Sequence, residues 1–151
     1  DTNAGVRITN GWNNGNNYTF FHITRYTGGS RGRIWQGLSG NWLSGHWNGR
    51  RRVYYHQGWL NSSNQSPLDN WLQTTDSRSL VRANRGANQW SSGGNYSPNG
   101  VAINNAGSGG CCNANERSDW ACATILLYNR TLSTDEMVQV ENFLYEIYKF
   151  S

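Results

Sequence analysis

The segment Ser118-Asp-Trp-Ala-Cys-Ala-Thr-Ile-Leu-Leu-Tyr-Asn-Arg-Thr-Leu-Ser-Thr-Asp-Glu136 predicts a strand, a turn and the start of a helix in direct succession. The apolar run that ends at Tyr128 is short and rich in β-forming residues, which favours a strand over a helix. Ser133 and Glu136 have the spacing of a capping box, in which each side chain binds the backbone N–H of the other residue. A helix over residues 134–149 is therefore predicted to follow the strand.

The predicted helix has one apolar face. Its apolar residues recur at helical spacing, and they are Met137, Val140, Leu144 and Ile147. This spacing is typical of a helix that packs one side against the protein. Glu141 and Glu146 are expected to point away from the protein.

The rest of the chain carries the signals of short antiparallel strands. In Tyr18–Tyr26, Phe21 and Ile23 alternate with His22 and Thr24, which predicts a strand. The pair Asn48-Gly49 is the strongest hairpin signal, and it joins strands predicted over residues 41–47 and 52–60. Further strands are predicted over residues 5–9, 33–36, 70–75, 79–83 and 100–104, with turns at 27–30 and 76–77.

These segments, in this order, resemble the laminin-G-like domains of the concanavalin A-like lectin and glucanase class. The resemblance rests on the turn Tyr128-Asn-Arg-Thr-Leu-Ser133 and on the blocks Arg31–Trp35, Asn41–Trp47, Tyr54–Trp59, Asn70-Trp71 and Val101–Asn105. It implies an all-β fold, a two-sheet antiparallel jelly-roll sandwich with one C-terminal α-helix, formed as a single domain over residues 1–151. Within this class the chain looks most like modules of algal and protist extracellular proteins. Its N-terminal part is shorter than the resemblance implies, so we expect either that this sheet edge is incomplete or that a strand from elsewhere completes it.

Composition and charge argue against a membrane span and against nucleic acid as a partner. The 151 residues are 36% hydrophobic and 13% aromatic, with eight Trp and eight Tyr. No apolar run approaches the roughly 20 residues that a membrane helix needs. The formal net charge is +4, but the arginines are scattered apart from Arg50-Arg51-Arg52 and no nucleic-acid-binding motif accompanies them.

The acidic residues do not have the spacing that catalysis or metal binding requires. Glycoside hydrolysis needs two carboxylates flanking the scissile bond, and no predicted strand carries an alternating pair. We therefore expect no enzymatic activity, no bound metal and no other cofactor. If calcium binds, as the resemblance to laminin-G-like domains allows, Asp76 or Asp119 would be the ligand together with loop carbonyls, although an aspartate in a turn more often caps the turn.

Sequons and cysteines favour a secreted glycoprotein of the extracellular surface. The sequons predict N-glycans on Asn17, Asn61, Asn64, Asn95 and Asn129. We expect Cys122 to form a disulfide with Cys111 or Cys112, because a bond between the two neighbours would strain the peptide that links them. The remaining thiol would then be shielded or would pair with another molecule.

An aromatic hairpin is the remaining signal for a contact surface. The predicted contact residues are Trp42, Trp47, Arg51, Tyr54 and Trp59. The core takes only one face of a hairpin, so some of these rings should be exposed, where they suit sugar stacking or a protein contact. We expect first a non-catalytic structural subunit of a cell-surface fibre or matrix that associates with other copies of itself. The alternative is a carbohydrate-binding adhesion module whose partners are glycans.

Overall fold

The computed structural model describes residues 4–9, 12, 17–64, 66–78, 80–91, 93–104 and 116–150. Two antiparallel sheets pack face to face, and a C-terminal helix covers the outer face of one of them. The predicted all-β jelly-roll sandwich with one C-terminal helix is confirmed. In the described part of the chain, no helix combines the length and the apolar character that crossing a bilayer requires.

Within the described residues, the first sheet has six strands and the second has five. In spatial order the strands of the first sheet are β1 (Val6–Ile8), β10 (Val101–Ile103), β3 (Trp35–Gly37), β4 (Trp42–Trp47), β5 (Arg50–His56) and β6 (Trp59–Asn61). The predicted turn at Asn48-Gly49 joins β4 to β5, and both residues have the positive φ that a tight hairpin requires. The strand predicted over residues 52–60 is divided in two, because Gln57 adopts a positive φ and reverses the chain into β6.

The second sheet has five strands. In spatial order they are β11 (Ser118–Tyr128), β2 (Thr19–Arg31), β7 (Leu72–Ser77), β8 (Val81–Ala83) and β9 (Asn88–Trp90). The turn predicted at residues 27–30 is wrong, because β2 continues to Arg31, which is paired with Ser118. The turn predicted at residues 76–77 is also wrong, because Asp76 and Ser77 pair with β2. Strand β9 was not predicted.

Aromatic side chains fill the space between the two sheets. This cluster consists of Trp12, Tyr18, Phe20, Tyr26, Ile34, Trp35, Trp42, Val101 and Ile103. Phe20 of β2 meets Trp35 of β3 edge-to-face at a centroid distance of 5.0 Å, so the two sheets interlock through their rings. A smaller cluster of Tyr54, Leu60 and Val81 extends the core toward β6 and β9.

Helix α1 (Thr134–Tyr148) covers the outer face of the five-stranded sheet. The predicted capping box is confirmed: the Glu136 N–H donates to Ser133 Oγ and the Ser133 N–H donates to Glu136 Oε2. Two corrections concern the helix faces. Ile147, predicted to be buried, is 55% exposed, and Glu141, predicted to point outward, is fully buried. The cause is an ion pair between Glu141 and Arg82 of β8, which turns the face containing Glu141 toward the sheet.

Candidate functional site

The predicted contact residues of the β4–β5 hairpin divide between the core and the surface. Trp42 and Tyr54 are fully buried and Arg51 is nearly so, so the prediction that these three residues form a surface is wrong. Trp42 stacks on His56 inside the sandwich, and the Tyr54 hydroxyl meets Thr74 Oγ1 of the other sheet at 3.2 Å. Side chains alternate along a strand, and for this reason Tyr55, next to Tyr54, lies on the outer face.

Trp47, Tyr55 and Trp59 form one cluster on the outer face of the six-stranded sheet, here called the aromatic patch. The ring centroids of Tyr55 and Trp59 are 4.9 Å apart, and those of Trp47 and Trp59 are 5.4 Å apart. Trp59 is 43% exposed, although large apolar rings are usually buried. The patch therefore exposes indole surface to solvent.

Charged side chains border the aromatic patch. The Trp47 indole N–H donates to Glu116 Oε1 at 3.0 Å, and the other carboxylate oxygen of Glu116 forms an ion pair with Arg33 at 2.9 Å. Burial lowers the pKa of the Arg33 guanidinium, and Glu116 opposes this shift. The Arg50 guanidinium lies 6.0 Å from the Trp47 ring centroid. These contacts fix the position of the Trp47 ring at the edge of the patch.

A groove of about 520 Å³ begins at Trp47 and continues along the loops that follow β2 and β4. Its polar lining comes from Arg31, Asn48 and Glu116, and glycines at positions 29, 32 and 49 keep its floor free of side chains. The groove and the aromatic patch together offer ring faces for stacking, with an amide, a guanidinium and a carboxylate beside them. Binding sites for polar organic ligands combine these two elements.

The three histidines lie in the core. His22 contacts Thr24 Oγ1 and Ser44 Oγ at 3.0 and 3.2 Å, and burial lowers its pKa to about 3. His56 contacts Asp76 Oδ2 at 3.2 Å and the Arg78 carbonyl at 3.0 Å. His46 packs edge-on against Tyr26. All three side chains are fully buried.

The two aspartates predicted as calcium ligands have different environments. Asp76 is fully buried, and its two oxygens are engaged by the Tyr18 hydroxyl and by His56. Asp119 accepts a hydrogen bond from the Ser30 N–H, which lowers the pKa of its carboxyl group. Among the described residues, no group of three or more His, Cys, Asp or Glu side chains is arranged to hold a metal ion.

Four of the five predicted glycosylation sites are exposed: Asn17, Asn64, Asn95 and Asn129. Asn61 is half-buried. Its Nδ2 donates to the Arg52 carbonyl at 2.6 Å, and its Oδ1 accepts from the Ser63 hydroxyl. Asn61 is consequently the site that a glycan would disturb most.

The predicted disulfide lies partly outside the described residues. Cys111 and Cys112 lie outside the described residues. Cys122 lies in β11 and has a free thiol. The Cys122 thiol is half-buried and contacts the Thr124 carbonyl at 3.4 Å. Burial raises its pKa to about 11, so the thiol is protonated at neutral pH and is a weak nucleophile.

Sequence reasoning missed Glu116 and Arg33 as neighbours of the aromatic patch. Glu116 lies in the segment before β11 and Arg33 follows β2, so no short motif connects them to the hairpin that carries Trp47. The outward position of Tyr55 could have been predicted from the sequence. Side chains alternate along a strand, so Tyr55 points outward if Tyr54 points into the core. Comparison with protein-family models and with curated proteins finds no match to this chain.

Proposed function

We propose that the protein is a non-catalytic extracellular module that binds glycans through the aromatic patch. The observation that carries this proposal is the exposed indole of Trp59, which lies against Trp47 and Tyr55 beside a polar groove. The carbon-bound hydrogens of a pyranose ring stack on an aromatic face, while its hydroxyl groups need donors and acceptors at the rim. The patch and groove supply both.

The core does not need the exposed ring of Trp59. The inter-sheet space is already filled by other aromatic residues, and the patch lies outside it. Burial of an apolar ring is favourable because it removes the ring from water. The exposed ring of Trp59 would be removed from water only when a ligand covers it, so it contributes more to binding than to folding. This difference predicts that removal of the ring affects affinity more than folding.

The test is binding to an array of neutral and acidic glycans, followed by titration of the best ligand. We expect Trp59→Ala to weaken binding at least tenfold while the melting temperature stays near that of the wild type. Phe143→Ala is the matched control, because Phe143 is a 60% exposed aromatic residue on the helix, far from the patch in the fold. A wild-type protein that binds no glycan, or equal loss in both variants, would overturn the proposal.

A second candidate function, self-association into a fibre or matrix, is favoured by a separate observation. Among the described residues, strand β11 is an end strand of its sheet; it is 11 residues long and half-exposed along almost its whole length. An end strand carries backbone N–H and C=O groups without a partner in the sheet, and these can pair with a strand of another molecule. Two bulges, near Ser118 and Cys122, interrupt its regularity, which leaves Thr124–Tyr128 as the regular part.

Sedimentation velocity over a range of protein concentrations tests this second function. If β11 mediates association, a peptide with the sequence of residues 118–128 should lower the fraction of assembled protein. A peptide of the same composition in scrambled order should have no effect. A protein that stays monomeric at high concentration would exclude association through β11, and it would leave the glycan-binding proposal unaffected.

A further inference from the structure

A small pocket at the side of the sandwich has a lining unlike that of the aromatic patch. It lies where β6 of one sheet and β9 of the other sheet approach each other, and its volume is about 140 Å³. The lining residues are Arg52, Asn61, Ser63, Asn64, Asn88 and Trp90. None of them belongs to the aromatic patch, so the pocket is a separate site.

Arg52 of β5 is the only charged residue that lines the pocket within the described part of the chain. The residue is only 9% exposed, and its Nε is buried without a hydrogen-bond partner. No described residue forms an ion pair with its guanidinium or accepts a hydrogen bond from it. Burial lowers the pKa of Arg52, with partial compensation from Tyr54, and no carboxylate contributes.

Two other buried arginines, Arg33 and Arg82, have a carboxylate partner, and a third, Arg51, donates to the Pro67 carbonyl. Arg33 pairs with Glu116 and Arg82 pairs with Glu141, each at 2.9 Å. Buried charges in proteins are normally paired, because desolvation of an isolated ion is costly. Arg52 departs from this pattern, and its positive φ of 64° places it as the extra residue of a β-bulge. The buried guanidinium without a carboxylate partner among the described residues indicates that an anion from outside completes its environment.

We infer that this pocket, here called the Arg52 pocket, binds the anionic group of an acidic sugar, a carboxylate or a sulfate ester. The guanidinium presents a planar set of donors that matches either oxyanion. Asn64 and Asn88 add amide groups that suit sugar hydroxyls, and Trp90 offers an aromatic face. The inference concerns a site separate from the aromatic patch and does not depend on the proposed function.

The size of the pocket favours a single anionic group over an extended polyanion. At roughly 30 Å³ per water molecule in the liquid, a volume of about 140 Å³ holds one oxyanion and the part of a ring that carries it. A nucleic-acid backbone presents a row of phosphates and is bound by several basic side chains. The pocket contains one arginine, which is sufficient for one charge.

The test uses the full chain, produced without N-glycans because Asn61 and Asn64 border the pocket. The probes are glucuronate, glucose 6-sulfate, neutral glucose and inorganic sulfate, each titrated while the indole N–H resonance of Trp90 is followed by NMR. We expect one or both acidic sugars to bind at least tenfold more tightly than glucose and than inorganic sulfate. The pair of acidic probes distinguishes a carboxylate ligand from a sulfate ligand.

Two variants and one control make the result decisive. Arg52→Gln should weaken binding of the acidic sugar at least tenfold, whereas Arg7→Gln, which removes one exposed positive charge on β1, should not. Asn88→Asp places a carboxylate beside Arg52, so it should abolish binding and raise the melting temperature; this variant remains informative if Arg52→Gln folds poorly. Equal affinity for glucose and its sulfate, binding of inorganic sulfate alone, or full binding by Asn88→Asp would overturn the inference.

Discussion

Glu141 shows how one buried carboxylate joins the helix to the sheet beneath it. Its Oε1 accepts hydrogen bonds from Thr75 Oγ1 at 2.6 Å and from Arg82 Nε at 2.9 Å, and its Oε2 accepts from Arg82 Nη2 at 2.9 Å. The two bonds to Arg82 form a bidentate pair, the stronger geometry for this contact. The hydrogen bonds that Arg82 donates to Glu141 raise the pKa of the Arg82 guanidinium, so it stays charged in the interface.

We expect Glu141→Gln to destabilise the protein by about 3–5 kcal/mol, because it leaves the Arg82 guanidinium buried without a counter-charge. Urea denaturation followed by circular dichroism measures the change. Glu146→Gln, an exposed position on the same helix, is the matched control and should leave the midpoint nearly unchanged. Similar midpoints for the two variants would mean that the buried pair does not hold the helix.

The buried histidines predict that stability falls in mild acid. Burial lowers the pKa of His22 to about 3 and that of His46 well below its usual value of 6.5. Below pH 6.5 the unfolded chain therefore binds more protons than the folded protein, and stability decreases as the pH falls from 6.5 toward 3. His22 and His46 each lower the free energy of unfolding by up to about 1.4 kcal/mol per pH unit as the pH falls through this window.

Unfolding free energies at pH 7, 6 and 5 test this expectation. His22→Gln removes one titrating group while keeping polar atoms near Thr24 and Ser44, so its stability should depend less steeply on pH than that of the wild type. The slope is the readout, and a general loss of stability at all pH values does not change it. A variant with the slope of the wild type would show that His22 does not titrate on unfolding.

At the scale of the element, the helix docks through fewer apolar residues than its sequence predicts. Met137 and Leu144 are buried in the cluster that includes Phe21 and Ile23 of β2, and Val140 is partly buried beside them. Leu144→Asp should cost at least about 3 kcal/mol, since it removes a buried side chain and inserts a charge. Ile147→Asp, at the exposed end of the predicted stripe, should have a midpoint close to that of the wild type.

The strand β5 shows that one bulge redistributes three consecutive arginines. Arg50 faces the aromatic patch, Arg51 donates to the Pro67 carbonyl at 2.8 Å, and Arg52 enters the Arg52 pocket. A regular strand would place Arg50 and Arg52 on the same side. The positive φ of Arg52 breaks this alternation. A prediction that assumes strict alternation of side chains along the hairpin therefore assigns these arginines to the wrong faces.

At the scale of the whole molecule, the exposed sequons predict where glycans attach. In protein secreted from eukaryotic cells, we expect Asn17 and Asn129 to be glycosylated, because both side chains are exposed. Occupancy should be lowest at Asn61, whose amide is engaged by the Arg52 carbonyl. Peptide mapping before and after glycosidase treatment measures occupancy at each site. Unmodified peptides at Asn17 and Asn129 would contradict the expected extracellular location.

Features encoded by neighbouring residues were predictable from the sequence. The capping box at Ser133 and the hairpin turn at Asn48-Gly49 depend on residues within one turn of each other, and both are confirmed. Trp47 and Trp59 were predicted only as members of a five-residue contact surface; in the structure Trp47 is partly exposed and Trp59 is exposed. The sequence did not predict that Trp42 is buried while Trp47 and Trp59 are not. This difference depends on which face of the six-stranded sheet the other sheet covers.

Features that depend on distant pairing were not predictable. Gly28-Gly29 and Asp76-Ser77 have the composition of turns, but Asp76-Ser77 pairs with β2, and Gly28-Gly29 lies in an irregular part of β2 between the paired residues Tyr26 and Arg31. In the helix sequence alone, Glu141 belongs to the polar face. Its burial depends on Arg82, which lies 59 residues earlier in the chain and beneath the helix in the fold. The Arg52 pocket is of the same kind, because its lining comes from strands of both sheets.

The pairing of β2 with β11 has a consequence for how the chain folds during synthesis. Residues 19–31 emerge from the ribosome well before their partners at residues 118–128. Contacts between segments so far apart in sequence form slowly, because a long loop must close first. Until then one edge of β2 and the apolar residues Phe21 and Ile23 lack their cover. A chaperone that engages the nascent chain is therefore expected to act on this strand.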